Sequence, residues 1–202
     1  MYIDLTMEIS GRTPTFPGDP ATKIEPVATI ERDGWNEKKV ELRTHFGTHI
    51  DAPYHMLADG KKLDEFPIET FIGEAVVVDA RGISEIKKEH LPELGSADMV
   101  LFYTGHSEKA FDADYFTNNP VLLEETAEEL ASHGVKIVGI DSFTPDNEPY
   151  NVHKILFAKD ILILENLMNL EKIGKKCKLY IAPLNLKAAD GAPARVIAEI
   201  YS

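Results

Sequence analysis

Between Thr44 and His55 the chain gathers three of its seven histidines and one carboxylate: His45, His49, Asp51 and His55. Imidazole and carboxylate are the usual ligands of borderline divalent ions such as zinc and manganese, so the run reads as a metal site. All four positions carry odd numbers, and an extended segment would turn them to one face. A helix would pair His45 with His49, but Gly47 inside it and Pro53 after it oppose that geometry. A lone histidine is more often a surface or core residue than a ligand. Three in one short run, interleaved with aspartate and flanked by glycine and proline, favour ligation.

Elements must hold such a run in place. Tyr2 to Ile9 alternates as a first strand, and Gly11 to Pro20, rich in proline and glycine, is a loop. Lys23 to Glu31 and Lys39 to Thr44 read as strands of a hairpin around Asp33-Gly34, with Trp35 at its tip. The histidine run thus starts at a strand end and proceeds into a loop, a common place for function. Glu74 to Asp79 is a strand of the buried type, Ser84 to Leu91 a helix with Ser84 as N-cap, and Met99 to Tyr103 a strand. Leu122 to His133 is a helix stopped by Gly134, followed by the buried strand Val135 to Ile140. Val152 to Ala158 reads as a short helix, and Ile161 to Leu164, Lys178 to Leu184 and Arg195 to Tyr201 as strands. The alternation implies α/β crossovers, hence an α/β domain with a mixed sheet and an antiparallel N-terminal part, one domain over residues 1–202.

Bulk properties narrow the partners. A net charge of −13 disfavours nucleic acid and anionic membrane surfaces, both of which require clustered Lys and Arg. Apolar runs such as Ala75 to Val78 are too short to span a bilayer, and residues 1–10 lack a signal-peptide pattern. The single cysteine, Cys177, permits no internal disulfide and fits a reducing cytoplasm. Its lysine neighbours could lower its pKa, but no partner is evident and an incidental thiol is the simpler reading. His90, His106 and His133 have no clustered partners and read as structural or exposed.

The segment His45-Phe46-Gly47-Thr48-His49-Ile50-Asp51-Ala52-Pro53-Tyr54-His55 resembles the signature of the cyclase-like metal-dependent hydrolases, the family of bacterial kynurenine formamidase and isatin hydrolase. Other pieces resemble the family in its order: Phe16-Pro17-Gly18-Asp19-Pro20, Ile72-Gly73-Glu74-Ala75-Val76-Val77, Tyr103-Thr104-Gly105, and Gly139-Ile140-Asp141-Ser142. His153, Glu165-Asn166-Leu167 and Asp190-Gly191-Ala192-Pro193-Ala194-Arg195 complete the series. The resemblance implies a swivelling β/β/α fold. It adds His153 and Glu165 to His45, His49 and Asp51 as metal ligands. Five ligands with two carboxylates exceed what one tetrahedral catalytic site needs, which points to two divalent ions, Zn2+ first and Mn2+ as the alternative. Either Asp51 or Glu165 would bridge them.

In that reading His55 transfers protons, because an amide leaving group must be protonated. The alternative, His55 as ligand and His153 not, stays open on sequence. Phe16 could cover an aromatic substrate, where kynurenine formamidases tend to carry Trp. Asp19 either orients a ligand histidine or is a turn residue. Asp190-Gly191 reads as a turn and Arg195 as a structural ion-pair partner. The expectation is a metal-dependent hydrolase of an amide or cyclic amide, with an aryl formamide as lead substrate, acting as a homodimer or higher homo-oligomer. The rivals are a hydrolase or lyase of another cyclic carbonyl compound, and a non-catalytic metal-binding or ligand-binding module.

Overall fold

The computed structural model describes residues 1–201. Strand β1 (Tyr2–Asp4) leads into a long loop and then an arm made of β2 (Lys23–Ala28), the one-turn helix α1 (Ile30–Asp33) and β3 (Glu37–Glu41). β2 and β3 pair antiparallel, with Gly34 in the left-handed conformation at the tip and Trp35 59% exposed. The hairpin is present, though β2 stops at Ala28 and the helix takes the place of a plain turn. The remaining elements follow as β4 (His49–Asp51), β5 (Ile72–Asp79), β6 (Glu85–Ile86), β7 (Met99–Tyr103), β8 (Val121–Leu122), α2 (Glu124–His133), β9 (Ile137–Ile140), α3 (Asn151–Phe157), β10 (Leu162–Glu165), β11 (Lys176–Pro183) and β12 (Gly191–Glu199).

Eight strands form one mixed sheet in the order β1-β12-β11-β5-β7-β9-β10-β4, and β4 also pairs with β12, so the sheet closes into a barrel. β5, β7, β9 and β10 run parallel, and the other pairings are antiparallel. β7 is buried at all five positions, as a parallel strand covered on both faces must be. Its alternate side chains feed two cores. Met99, Leu101 and Tyr103 join Ile50, Leu164 and Leu179 in one, while Val100 and Phe102 pack with Leu130 of α2 and Leu156 of α3 in the other.

Three sequence expectations need correction. The opening strand ends at Asp4 rather than running to Ile9. Ser84 to Leu91 is not a helix: Glu85–Ile86 pairs with β8, and a single 3-10 turn covers Lys88–His90. Thr126 Oγ1 and Leu123 N–H both donate to the Ile86 carbonyl, so tertiary hydrogen bonds outweigh the weak local helix preference. The last strand begins at Gly191 rather than Arg195, because Gly191, Ala192 and Pro193 pair with β4 and close the barrel. That early start shapes the site.

Candidate metal centre

β4 is only three residues long, yet its two-residue period sets His49 and Asp51 on one face. In the register with β10, Glu165 lies opposite His49 and Ile163 opposite Asp51, so Glu165 shares that face. Ile163 belongs to the core beneath α2 and α3, and α3 supplies His153 from the same side. His45 and His55 arrive differently from the single extended face expected. Gly47, at φ +59°, turns the chain ahead of β4, and His55 ends a 3-10 turn begun by Pro53. Gly191 packs against this corner: a Cβ there would lie 2.7 Å from the Ile50 carbonyl oxygen and 2.9 Å from the His45 ring.

His45, His49, Asp51, His55, His153 and Glu165 all line one cavity of about 340 Å³. His45 Nδ1 is 2.6 Å and His49 Nε2 3.3 Å from Asp51 Oδ1, and His49 Nε2 is also 3.3 Å from Glu165 Oε2. His153 Nε2 is 3.6 Å from Glu165 Oε1. Potential ligand atoms therefore fall into three compact groups: the buried Asp51–His153–Glu165, the largely buried His45–His49–Asp51, which shares Asp51 with it, and the half-buried His45–His55–Asp190. His55 enters only the last of these and lies outside the two groups that meet at Asp51. Its ring lies against that of His45, centroids 3.9 Å apart, and its Nδ1 is 3.7 Å from Asp190 Oδ2.

The outer ring nitrogen of each candidate ligand histidine is also held. His49 Nδ1 lies 2.8 Å from the Gly47 carbonyl, His153 Nδ1 2.5 Å from Asp146 Oδ1, and His45 Nε2 2.8 Å from Asp190 Oδ2. Such partners fix the tautomer and ring orientation of metal-ligating imidazoles. A carbonyl can only accept, so His49 Nδ1 carries the proton and its Nε2 turns toward two carboxylates. That buried Nε2 has no hydrogen-bond partner among the described residues. The site is built around a place for positive charge, and the donor set fits a divalent cation.

The protonation energetics agree. Burial works against charge on His45, but Asp51 and Asp190 outweigh it and lift its pKa to about 10. His153 is raised to about 10 in the same way, burial being overcome by Asp146 and Glu165, and His49 is raised by Asp51 and Glu165. Asp51 is lowered, since His45 and His49 more than offset its complete burial. Without a cation, protons on these rings balance the carboxylates. His55 goes the other way: burial, reinforced by its charged histidine neighbours, pushes its pKa down despite Asp51, so it is neutral at pH 7.

Three residues that hold the candidate site together stand out only in the structure. Asp190 is more than a turn residue, because it holds His45 and approaches His55. Asp146, 5% exposed, accepts from the backbone N–H groups of Val152 and His153 as well as from the His153 ring. Gly191 is the third, since its missing side chain makes room for the Ile50 carbonyl and the His45 ring. Asp19 does not reach a histidine; it pairs with Arg43 Nη1 at 2.8 Å, and its N–H closes a turn onto the Phe16 carbonyl. Phe16, 49% exposed, packs edge-on against Phe116 and tilts against Phe143, and all three line the cavity. Arg195 pairs with Asp4 at 2.5 Å, as a structural partner should. Cys177 is buried and its thiol pushed up to about 12 by that burial, against any effect of its lysine neighbours. His106 is buried with Nε2 2.7 Å from the Tyr115 carbonyl, and His133 is exposed.

The family pattern described as "Putative cyclase" matches residues 3–147. The chain belongs to the cyclase family. A relative described as kynurenine formamidase from Bacillus cytotoxicus is 32% identical over 203 residues, covering 97% of this chain and 96% of the relative. A solved structure titled as a potential metal-dependent hydrolase with cyclase activity superposes with TM-score 0.84 at 27% identity, over 98% of this chain and 96% of the other. Isatin hydrolase A from Ralstonia solanacearum superposes with TM-score 0.89 at 25% identity, over 100% and 92%. The mixed α/β barrel is therefore the cyclase fold that the signature implied. No helix among the described residues is long and apolar enough to cross a membrane.

Proposed function

We propose that this cyclase-family chain is a metal-dependent hydrolase that cleaves the C–N bond of an amide or cyclic amide, with an aryl formamide as lead substrate. The observation that carries the reading is the pair of ligand groups meeting at Asp51, beside the unpartnered Nε2 of His49. His45, His49 and Asp51 would hold one divalent ion, and Asp51, His153 and Glu165 a second, with Zn2+ preferred and Mn2+ the alternative. When bound, such ions polarise a carbonyl and lower the pKa of water to near neutral, supplying a nucleophile at pH 7.

The chain's own residues do the rest. Neutral His55 accepts a proton as water attacks the carbonyl carbon and returns it to the departing nitrogen, which leaves as an amine. Asp190 Oδ2 stands 3.7 Å from His55 Nδ1, beyond hydrogen-bond reach, while it holds His45 Nε2 at 2.8 Å. Phe16, Phe116 and Phe143 present an apolar wall for an aromatic ring and exclude water from that side of the cavity. The exposed arm carrying Trp35 and Val40 is the surface we assign to a homodimer, since an isolated two-stranded hairpin is marginal alone. The buried lone cysteine fits a cytoplasmic setting.

The test is hydrolysis of formanilides, lactams and lactones by metal-loaded and chelated protein, with elemental analysis and light scattering alongside. Turnover of an amide that is lost with chelator and restored by zinc or manganese, at about two ions per chain, is expected. Turnover of lactones alone would move the assignment to another cyclic carbonyl substrate. Absence of turnover with every metal would make this a binding module. A 22.5 kDa species in light scattering would reject the dimer.

A further inference from the structure

Arg43 is the one arginine or lysine that lines the cavity among the described residues; the other charged lining groups are Asp19, Asp51, Asp146, Glu165 and the histidines. It stands two residues before His45, just beyond the end of β3, on the loop that enters the site. Its Nη1 meets Asp19 Oδ1 at 2.8 Å, and its side chain is 48% exposed. No other protein acceptor engages the guanidinium among the described residues. Asp19 therefore pins one corner of a planar five-donor fork and leaves the rest available. The aromatic wall of Phe16, Phe116 and Phe143 lines the same cavity, and the 5.5 Å edge contact of Phe16 with Phe116 belongs to the loop that also carries Asp19.

Two divalent ions would offset the four lining carboxylates and serve the reacting amide, which leaves Arg43 as the protein cation open to a second, anionic group of the ligand. Arginine is the side chain whose geometry matches a carboxylate in two parallel hydrogen bonds. We propose that Arg43 is a specificity-determining residue that selects aryl amides bearing a carboxylate on or near the ring. The reacting amide would face the histidine–carboxylate cluster, the ring the phenylalanine wall, and the carboxylate the free edge of the Arg43 fork. This deepens the hydrolase reading and rests on it for the identity of the reacting group, but not for the carboxylate contact itself.

The competing account makes Arg43 only a latch that ties the Asp19 loop shut, and two variants separate the accounts. Kinetics of metal-loaded protein would compare 2- and 4-formamidobenzoate with neutral formanilide, in wild type, Arg43→Gln, Arg43→Lys and Asp19→Asn. The expected preference in kcat/KM for the better carboxylated substrate is roughly 10- to 100-fold, the range of a charge-assisted bidentate contact. That ratio should collapse in Arg43→Gln, fall partly in Arg43→Lys, and survive in Asp19→Asn. A latch would instead make Arg43→Gln and Asp19→Asn behave alike, with both substrates slowed equally, and would overturn the proposal. So would a wild type with no preference. Calorimetric titration with benzoate and with benzyl alcohol keeps the test independent of turnover. Benzoate affinity at least 10-fold weaker in Arg43→Gln, or in Arg43→Lys if the glutamine variant fails to fold, supports the contact even if no amide is cleaved. Unchanged benzoate affinity refutes it even if amides are cleaved.

Discussion

Replacing Asp146 by Asn tests the architecture around His153 without touching a candidate ligand. Asp146 uses its two oxygens for different tasks: Oδ2 accepts from Val152 N–H at 2.8 Å and His153 N–H at 3.3 Å, while Oδ1 faces His153 Nδ1 at 2.5 Å. Asparagine has one oxygen to give. If it stays on the backbone pair, the amide NH2 faces Nδ1, forces the proton to Nε2, and removes the lone pair aimed toward Glu165. If the amide flips, His153 keeps its tautomer but an NH2 faces the two N–H groups opening α3. The first outcome lowers metal affinity and the second lowers stability.

A buried group left unpaired costs about 1–3 kcal/mol, and loss of the partner behind a ligand imidazole typically weakens binding about 10–100-fold. Loss of a helix N-cap costs about 1 kcal/mol. The assay is stepwise titration of metal-free protein with zinc against a chromophoric chelator, with thermal melting of the metal-free form. One of two binding steps should weaken by about 10–100-fold while the other, built on His45 and His49, stays within about 3-fold. Melting of the metal-free variant reports the flip. If neither stepwise affinity nor stability changes, Asp146 does not position His153 and the reasoning fails.

Metal and proton should compete at this site. For His45 and His153 the folded pKa of about 10 exceeds the ordinary 6.5. Protonation therefore stabilises the metal-free fold fully below about pH 6.5, and that contribution is lost as pH rises through 10. Cation binding displaces those protons, so the gain in melting temperature from saturating zinc should grow from pH 6.5 to 9; a flat or shrinking gain would contradict it. Asp51→Ala should lower metal content and activity together. His55→Ala should keep its metal yet slow amide turnover by about 10²–10⁴-fold, with a smaller loss on activated esters. An emptied site in His55→Ala would instead make His55 a ligand. Gly191→Ala drives a Cβ to 2.7 Å from the Ile50 carbonyl and 2.9 Å from His45, and should cost about 1–3 kcal/mol in denaturant titration. A change within about 0.5 kcal/mol would mean the corner yields freely.

What could be read from the chain was what repeats locally. The buried strands β7 and β9 and the Ala75 to Val78 stretch of β5 announce themselves by apolar runs, and α2 by its glycine stop. The histidine run is dense enough to stand out without any structure. The Ser84 to Leu91 segment misled because its helical spacing is weaker than the hydrogen bonds that β8 and α2 impose on it. Asp146 and Asp190 were illegible for a different reason. Each is a single carboxylate in a loop, seven residues from its histidine in one case and 145 in the other, and chain closure alone gives it a role.

Barrel closure explains why the site depends on both halves of the chain. β4 contributes three residues and pairs with β10 on one edge and β12 on the other. Its Asp51 lies opposite Ile163 across one edge and Gly191 across the other. The first pairing holds Glu165 opposite His49, which sets both beside Asp51. The second brings Asp190, the residue before Gly191, against His45. A one-residue slip on the β10 edge would send Glu165 to the other face of the sheet, where Ile50 and Leu164 are buried in the core. Burial of an unpaired carboxylate there is strongly unfavourable, so the apolar residues that pack this barrel also fix the register that assembles the ligands.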